Sequence, residues 1–183
     1  EWKIGAGETA IGLVARLDVM KEHRNFMQAC ALLATQRSDL RFVCIGAGSP
    51  TYRAEMETFA GELGIADRLI WAGARQDMPA VYSTLDVACS SSAFGEGFSN
   101  AVGEAMACGV PCVVTDVGDS ASIAGEVGEV APPRDSEALA CAIARMLDRI
   151  EENADIGRQA RTRIVDEFSV ERMVRQTEDV LYR

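Results

Sequence analysis

Short apolar runs alternate with longer amphipathic stretches along most of the chain, and this alternation constrains the fold more than any other feature. Strand candidates that are apolar over most of their length lie at Thr9–Ala15, Leu40–Ile45, Arg68–Ala72, Leu85–Cys89, Cys112–Thr115 and Gly128–Ala131. Strands without a polar face belong in a parallel sheet that helices cover on both sides. The pattern predicts an α/β fold with a doubly wound, mostly parallel, Rossmann-like sheet of about six strands.

The stretches between and after the strands have helical spacing of their apolar residues. Their expected bounds are Glu22–Leu33, Thr51–Leu63, Met78–Thr84, Ser99–Cys108, Ser136–Ile150, Asp155–Glu167 and Val170–Tyr182. Residues 1–8 hold two glycines and no clear period, so we interpret them as a linker or a cut edge. Residues 9–183 are expected to form a single domain.

The composition is that of an ordinary globular protein with an acidic surface. Of the 183 residues, 48% are hydrophobic and 25% are charged, and the formal net charge is −10. Such a chain lacks the basic surface that nucleic acids require, so we expect no nucleic-acid partner. No apolar run approaches the roughly 18 residues that span a bilayer. No signal peptide opens the chain, so we expect a cytoplasmic location and no transmembrane segment.

Metal-ligating patterns are missing from the sequence. The six cysteines form no C-x-x-C pair and the only histidine is His23, so a zinc site is not expected. We expect the cysteines to be small buried hydrophobic residues in a reducing compartment. No Asp-x-Asp pair is present to hold Mg²⁺ on a nucleotide diphosphate, so no metal and no other cofactor is predicted. A lone histidine at a helix start is more often structural than catalytic.

Ligands of doubly wound sheets bind beyond the carboxyl ends of the strands, so the loops that follow strands are the candidate site. The first of these loops carries Arg16 and Lys21 just before a helix. Two cations beside the free amides of a helix N-terminus suit a diphosphate. Two solvated surface cations are the alternative, and the spacing alone does not decide between them.

The next two loops give weaker signals. Gly46 and Gly48 form a G-x-G turn, in which the backbone can approach a phosphate or a base closely, but a plain turn explains them equally well. The third glycine of the dinucleotide fingerprint is replaced by Thr51. Arg75 follows the third strand and is a candidate for contact with a nucleotide base, whereas Asp77 is expected to cap the next helix.

The loop and helix from Ser90 to Gly109 carry the strongest signal. Glu104 is the only charged residue between Glu96 and Asp116. A carboxylate on a helix of small residues is costly to desolvate, so we expect a partner such as the two adjacent hydroxyls of a ribose rather than solvent. Backbone amides at the start of this helix are available for phosphate or sugar oxygens, and they belong to Gly97, Phe98 and Ser99. The carboxylate of Glu96 is a candidate acceptor for sugar hydroxyls.

Several segments, taken in register, resemble one family. Gly12–His23 (GLVARLDVMKEH) resembles the G-R-L-x-x-x-K segment of retaining group 1 glycosyltransferases of the GT-B fold. Glu96–Glu104 (EGFSNAVGE) is similar to the E-x₇-E motif of that family, and Glu104–Gly118 resembles its continuation. Gly128–Leu147 is similar to its closing stretch. The resemblance extends over nearly the whole chain, roughly from Thr9 to Arg183.

The resemblance implies a C-terminal, donor-binding half of a GT-B enzyme that transfers a sugar from a UDP- or GDP-sugar with retention. It implies that Arg16 and Lys21 hold the diphosphate and steady the leaving group. It implies that Glu104 binds the ribose, and that Glu96 and the backbone of Gly97–Ser99 hold the donor sugar.

The same resemblance implies that Gly73–Arg75 lies beside the base and that no metal takes part. The nucleotide sugar is then a co-substrate, and the partner is an N-terminal acceptor domain of about 170–200 residues that this sequence lacks. Without it, we expect weak donor binding and little or no turnover. Any peripheral contact with a membrane is expected on that absent half.

The sequence departs from the family at two places. Glu22 follows Lys21 where the family often has glycine, and Asp119–Ile123 replaces a common Pro-Glu pair, so no ligand contact is assigned to that loop. Three alternatives stay open: a non-catalytic module that senses a nucleotide or sugar phosphate, a structural domain with a degenerate pocket, and an epimerase-type enzyme. The last of these requires acidic and histidine groups that the sequence does not place.

Overall fold

The computed structural model describes residues 2–182 and contains one six-stranded sheet. The strands are β1 (Thr9–Val14), β2 (Leu40–Ile45), β3 (Leu69–Gly73), β4 (Val87–Ser90), β5 (Cys112–Thr115) and β6 (Glu129–Ala131). Their order is β3-β2-β1-β4-β5-β6, and every neighbouring pair is parallel. The predicted doubly wound α/β fold is therefore confirmed.

Helices connect the strands and cover both faces of the sheet. They are α1 (His23–Ala34), α2 (Pro50–Glu62), α3 (Met78–Tyr82), α4 (Asn100–Ala107), α5 (Ser120–Ala124), α6 (Ser136–Glu152), α7 (Ile156–Glu167) and α8 (Val170–Leu181). The sequence did not predict α5, because its small and polar side chains display no helical period. A 3₁₀ turn, Val19–Lys21, precedes α1.

The core consists of two clusters, one on each face of the sheet, and the strands contribute to both. On β2, Phe42 and Cys44 belong to the cluster beneath α1 and α6, whereas Val43 and Ile45 belong to the cluster beneath α4 and α5. Successive side chains of a strand point to opposite faces. Burial on both faces explains why these strands carry apolar residues at nearly every position.

The order of connections reverses between β1 and β4, which are hydrogen-bonded neighbours at the centre of the sheet. The chain moves outward from β1 to β2 and β3 and then returns to β4. Such a switch point leaves a crevice between the two loops that leave the carboxyl ends of the central strands. The loops concerned are 15–22, after β1, and 91–99, after β4.

The two ends of the described chain are packed differently. Trp2 and Ile4, which lie in the segment interpreted as a linker, pack against the second core cluster, and Glu8 pairs with Arg41. Helix α8 contains no buried residue. Within residues 2–182, no helix combines the length and the apolar composition that crossing a membrane requires.

The cysteines only partly follow the expectation that they are buried. Four side chains lie in the core, but Cys108 and Cys141 are exposed. Cys108 follows the last residue of α4, and Cys141 lies on the outer face of α6. Both positions were expected in helices, but the apolar spacing did not assign them to the solvent side.

Candidate functional site

The loop after β1 carries two cations, Arg16 and Lys21, that differ in their exposure to solvent. Asp18 caps the Val19–Lys21 turn, since its carboxylate accepts a hydrogen bond from the Met20 amide at 3.0 Å. Arg16 is exposed, with its guanidinium 3.8 Å from the sulfur of Met20. Lys21 ends the turn and is mostly covered, with 19% of its side chain exposed. The capped turn thus fixes the backbone that carries Lys21.

Lys21 and Glu96 form an ion pair across the switch point. The Lys21 Nζ donates to Glu96 Oε1, and only 8% of the Glu96 side chain is exposed. The Ser92 hydroxyl donates to the same oxygen. The Ala93 amide also donates to the Met20 carbonyl at 2.8 Å, so backbone and side chains both join the two loops.

The charge of Glu96 is maintained by its neighbours. Burial by itself would raise the pKa of this carboxyl, but the hydrogen bonds from Lys21 and Ser92 and the charges of Lys21 and Arg16 outweigh it. The pKa of Glu96 therefore lies below its usual value, and the group is an anion at neutral pH. An anion surrounded by donors is an acceptor for hydroxyl groups of a ligand.

Residues 97–99 come directly after Glu96 and lead into α4. Ser99 occupies the N-cap position and is buried, but no side chain of residues 2–182 caps the helix start. Gly97 is exposed, and its carbonyl accepts from the Asp119 amide at 3.2 Å. Phe98 is 45% exposed, and its ring lies 5.7 Å from that of Phe168. The uncapped amides of α4 are therefore open to an anionic or hydroxyl-bearing ligand.

The position of Glu104 differs from the expectation that its carboxylate is shielded from solvent. The residue is exposed, not desolvated within the apolar helix as its flanks indicated. Its carboxylate accepts a hydrogen bond from the Tyr82 hydroxyl at 3.0 Å. Burial, and then the charge of Glu104, raise the pKa of Tyr82, so the phenol stays protonated and keeps donating. The apolar neighbours in the sequence face the core, whereas Glu104 occupies the outer side of α4.

Gly46 has a structural reason for being glycine. A Cβ at this position would lie 1.9 Å from the Ala15 carbonyl oxygen, and its φ is +146°. The loop after β2 packs directly on the loop after β1, where the Leu17 amide donates to the Ala47 carbonyl at 3.0 Å. The G-x-G turn thus lets the backbone of this loop approach the segment that carries Arg16.

Arg75 lies on the loop after β3, toward the edge of the sheet. Its guanidinium makes two hydrogen bonds to the carboxylate of Asp77, at 2.8 and 2.6 Å. The prediction that Asp77 caps α3 is wrong for its side chain, which is engaged by Arg75 instead. Both residues are exposed, so the pair is available to solvent and to a ligand.

The structure thus connects the predicted residues to different degrees. Lys21 and Glu96 touch, the charge of Arg16 acts on Glu96, and Gly46 packs beside Arg16. Glu104 and Arg75 have separate partners. The sequence analysis missed Ser92 and Tyr82, although the unusual Ser90-Ser91-Ser92 run next to the site was a usable signal for the former. Among residues 2–182, no group of three or more potential ligands could hold a metal ion.

A match to a protein family shows which known proteins this chain is related to. The family described as "Glycosyl transferases group 1" matches residues 8–149. The chain belongs to this family. The match covers every strand of the sheet and both loops at the switch point.

Curated proteins that are similar to this chain include a glucosyltransferase and a mannosyltransferase. This group 1 glycosyltransferase chain is 34% identical over 168 residues to a 2-deoxystreptamine glucosyltransferase of Streptomyces kanamyceticus, covering 90% of the chain and 43% of the relative. It is 32% identical over 172 residues to an MMP alpha-(1->4)-mannosyltransferase of Mycolicibacterium hassiacum, covering 90% and 40%. The chain spans less than half the length of these two relatives.

Solved structures share the fold. Anabaena Alr3699/HepE in complex with UDP and glucose superposes with a TM-score of 0.85 at 23% identity, covering 97% of this chain and 49% of that one. The C-terminal domain of a group 1 glycosyl transferase (LpcC) from Francisella tularensis superposes with a TM-score of 0.75 at 22% identity, covering 90% and 88%. The glycosyltransferase chain thus has the fold of a single half of the larger structure.

Proposed function

We propose that this chain is the donor-binding half of an enzyme that transfers a sugar from a UDP- or GDP-sugar to an acceptor, without a metal and with retention of the anomeric configuration. The observation that carries the proposal is the Lys21–Glu96 pair at the switch point, where a cation and a buried anion meet beside an uncapped helix. Family membership supports sugar transfer as the reaction class.

Arg16 and Lys21 bind the diphosphate in this proposal. An ammonium group has three donors, and among residues 2–182 the Lys21 Nζ makes one hydrogen bond, to Glu96. Its remaining donors are free for phosphate oxygens. Arg16 is exposed and supplies a second positive charge that does not need to be freed from a strong acidic partner. Together they stabilise the negative charge that develops on the leaving diphosphate.

Glu96 and the backbone amides that precede α4 bind the donor sugar. In the described part of the chain both donors to Glu96 use Oε1, so Oε2 keeps its lone pairs for sugar hydroxyls. The amides of Gly97, Phe98 and Ser99 are close in sequence to this carboxylate. Their combination places acceptors and donors around a polyhydroxylated ring, next to the cations that hold its diphosphate.

Glu104 binds the ribose of the nucleotide, and Arg75 and Gly46 border its base. Two adjacent hydroxyls can donate to one carboxylate, and Tyr82 already orients that carboxylate from below. The exposed Arg75 guanidinium presents a planar face that can stack on a base.

The acceptor site belongs to a second, N-terminal domain of the same protein. The chain covers 43% of the glucosyltransferase and 40% of the mannosyltransferase to which it is similar, so the remainder is long enough for another domain. We further propose that the enzyme works in the cytoplasm and that this half alone turns over poorly or not at all.

Calorimetric titration with UDP and with GDP tests the proposal. At least one of them should bind, and Lys21→Ala and Glu104→Ala should each weaken binding by about tenfold, the equivalent of one charge-assisted hydrogen bond. Lys3→Ala, which removes the only other lysine, is the matched control. No binding of either nucleotide up to millimolar concentration, or unchanged affinity in both variants, would refute the site.

A screen of UDP- and GDP-sugars on the full-length protein tests the reaction. Product analysis should show transfer of the sugar with its anomeric configuration retained. Nucleotide binding without any transfer would favour the alternative of a non-catalytic module.

A further inference from the structure

Three buried hydroxyl groups next to the Lys21–Glu96 pair have no role in the proposed function. They belong to Ser91, Ser92 and Thr115, which are 0%, 1% and 1% exposed. A buried hydroxyl is costly unless it is hydrogen-bonded, and an alanine would avoid that cost. Hydroxyls buried together around a charged pair therefore need an explanation beyond packing.

Each of these hydroxyls holds a part of the site. Ser92 Oγ donates to Glu96 Oε1 at 2.5 Å. Ser91 Oγ donates to the Lys21 carbonyl at 2.7 Å, and thereby holds the turn that carries the ammonium group. Thr115 Oγ1, at the end of β5, donates to the Ser92 carbonyl at 2.6 Å. The hydrogen bonds run from β5 through Ser92 to Glu96, so the carboxylate is tied to the sheet.

The arrangement at Glu96 is asymmetric. Lys21 and Ser92 both use Oε1, and Oε2 accepts no hydrogen bond from residues 2–182. A carboxylate bound only by a long lysine side chain could follow that lysine when the lysine turns toward a phosphate. A second donor on a short, buried side chain prevents this movement, because serine has a single χ angle and its backbone is fixed by Thr115.

We propose that Ser92 is a positioning residue, which keeps Glu96 Oε2 directed at the donor sugar while Lys21 binds the diphosphate. The inference rests on the proposed function, in which Glu96 binds that sugar. Ser91 and Thr115 support the same arrangement through the backbones of Lys21 and Ser92. Holding a reacting group in place is worth a large factor in rate, since misplacement by about 1 Å can cost up to about 100-fold.

A positioning role and a merely structural role make different predictions. If Ser92 only stabilises the fold, its loss weakens all ligand binding and leaves the titration of Glu96 alone. If Ser92 positions and stabilises the Glu96 anion, its loss changes kcat and the acid limb of the pH profile but spares UDP, which has no sugar to contact Glu96. The charged groups that act on Glu96 in both cases are Lys21 and Arg16.

The test compares Ser92→Ala with Ser90→Ala. Ser90 is a buried neighbour whose side chain makes no hydrogen bond among residues 2–182, so it is the matched control. The Glu96 carboxyl is followed by ¹³C NMR in the 183-residue chain, and kcat and KM are measured on the full-length protein with UDP-glucose and GDP-mannose as probes. Ser92→Thr, which keeps the hydroxyl, serves as the rescue variant.

In the Ser92→Ala variant we expect the Glu96 carboxyl to titrate at a higher pH than in the wild type. We also expect kcat to fall about 10- to 100-fold, whereas the affinity for UDP should stay within about twofold of the wild-type value. Ser90→Ala should match wild type, and Ser92→Thr should recover most of the activity. An unchanged Glu96 titration in a folded Ser92→Ala protein overturns the inference. If the wild type transfers no sugar from any donor, the proposed function fails, and the NMR titration still decides whether Ser92 holds Glu96.

Discussion

Glu22 and Arg134 are the non-glycine residues of positive φ in the described part of the chain, and their side chains pair with each other. Their φ angles are 48° and 60°, and Arg134 Nε lies 3.3 Å from Glu22 Oε1. Glu22 links the turn of Lys21 to α1, and Arg134 lies just before α6. Two strained backbone positions are thus joined at the rim of the candidate site, where such strain tends to concentrate.

The strain at Glu22 can be measured by comparing two substitutions. Glu22→Gly and Glu22→Ala both lose the exposed ion pair with Arg134, but only glycine adopts φ of 48° without a steric cost. We expect the glycine variant to be more stable than the alanine variant by about 1 kcal/mol. Urea denaturation monitored by circular dichroism gives both values, and equal midpoints would contradict the assigned backbone conformation.

This conformation also explains why glycine is common at this position in the family pattern. The resembling sequences often have glycine after the lysine, and the left-handed backbone at Glu22 is the conformation that glycine adopts most readily. The sequence alone showed the substitution but gave no φ angle. The partner on a loop 112 residues away in sequence was equally outside the reach of local pattern analysis.

Substitution by alanine should have opposite effects on stability at two glycines, one in a tight loop contact and one on an exposed helix. Gly46→Ala places a Cβ against the Ala15 carbonyl oxygen, so we expect a loss of about 3 kcal/mol in the free energy of unfolding. Gly61→Ala, at an exposed position in α2 with no atom within 4 Å of the new Cβ, should raise it by about 0.5 kcal/mol. Thermal denaturation of both variants checks the pair, and a neutral Gly46→Ala would contradict the loop packing.

The hydrogen bond from Tyr82 to Glu104 predicts a binding effect at a distance from the ligand. Tyr82→Phe removes the donor that orients the carboxylate, which should weaken binding of UDP or GDP about fivefold, the equivalent of about 1 kcal/mol. Calorimetric titration measures the change. Tyr182→Phe, which alters a tyrosine that is 87% exposed, is the control. If the affinity of Tyr82→Phe for the nucleotide is unaltered, the proposed binding of the nucleotide by Glu104 is contradicted.

The fold could be predicted from the sequence because each strand is buried on two faces. Strands β1 and β2 show this directly: their near-continuous apolar runs leave no solvent side, and only a covered parallel sheet accommodates them. Helix α5 was not predicted, because its five residues include small and polar side chains that show no helical period. The order of the strands follows from long-range packing and not from any local pattern.

The site was predictable as a set of residues but not as a set of contacts. The charges of Lys21 and Glu96 were found separately, and their pairing appears only when β1 and β4 become neighbours. The exposure of Glu104 was misjudged because a count of apolar neighbours in sequence does not show which side of a helix a residue occupies. Helical phase relative to the core supplies that information.

Thiol reactivity should separate the six cysteines into two classes. Burial raises the pKa of the Cys44 and Cys112 thiols to about 12, and it also raises those of Cys30 and Cys89. We expect Ellman's reagent to label the two exposed cysteines of the native protein and all six in denaturant. Replacing both exposed cysteines by serine should abolish the fast phase. A larger number of fast native thiols would show that the core opens.

His23 makes the stability of the protein depend on pH in a defined window. Its side chain is 1% exposed, and its ring meets Tyr52 edge-on with centroids 5.8 Å apart. Burial lowers the pKa of His23 to about 4, and the nearby charge of Asp18 opposes this shift only in part. The Nδ1 atom is buried and has no hydrogen-bond partner in the described structure. The charge and the backbone of Asp18 favour the protonated ring, but they do not offset its burial.

The unfolded chain binds a proton at His23 near pH 6.5, whereas the folded chain binds it only near pH 4. Stability from the neutral imidazole is therefore complete above about pH 6.5 and is lost as the pH falls toward about 4. Between pH 7.5 and 5.0 we expect a loss of about 2 kcal/mol in the free energy of unfolding. Because the chain has one histidine, His23→Phe should remove this dependence whatever its overall stability. Urea titrations at both pH values measure it, and an equal loss in wild type and variant would show that His23 is not buried as a neutral group.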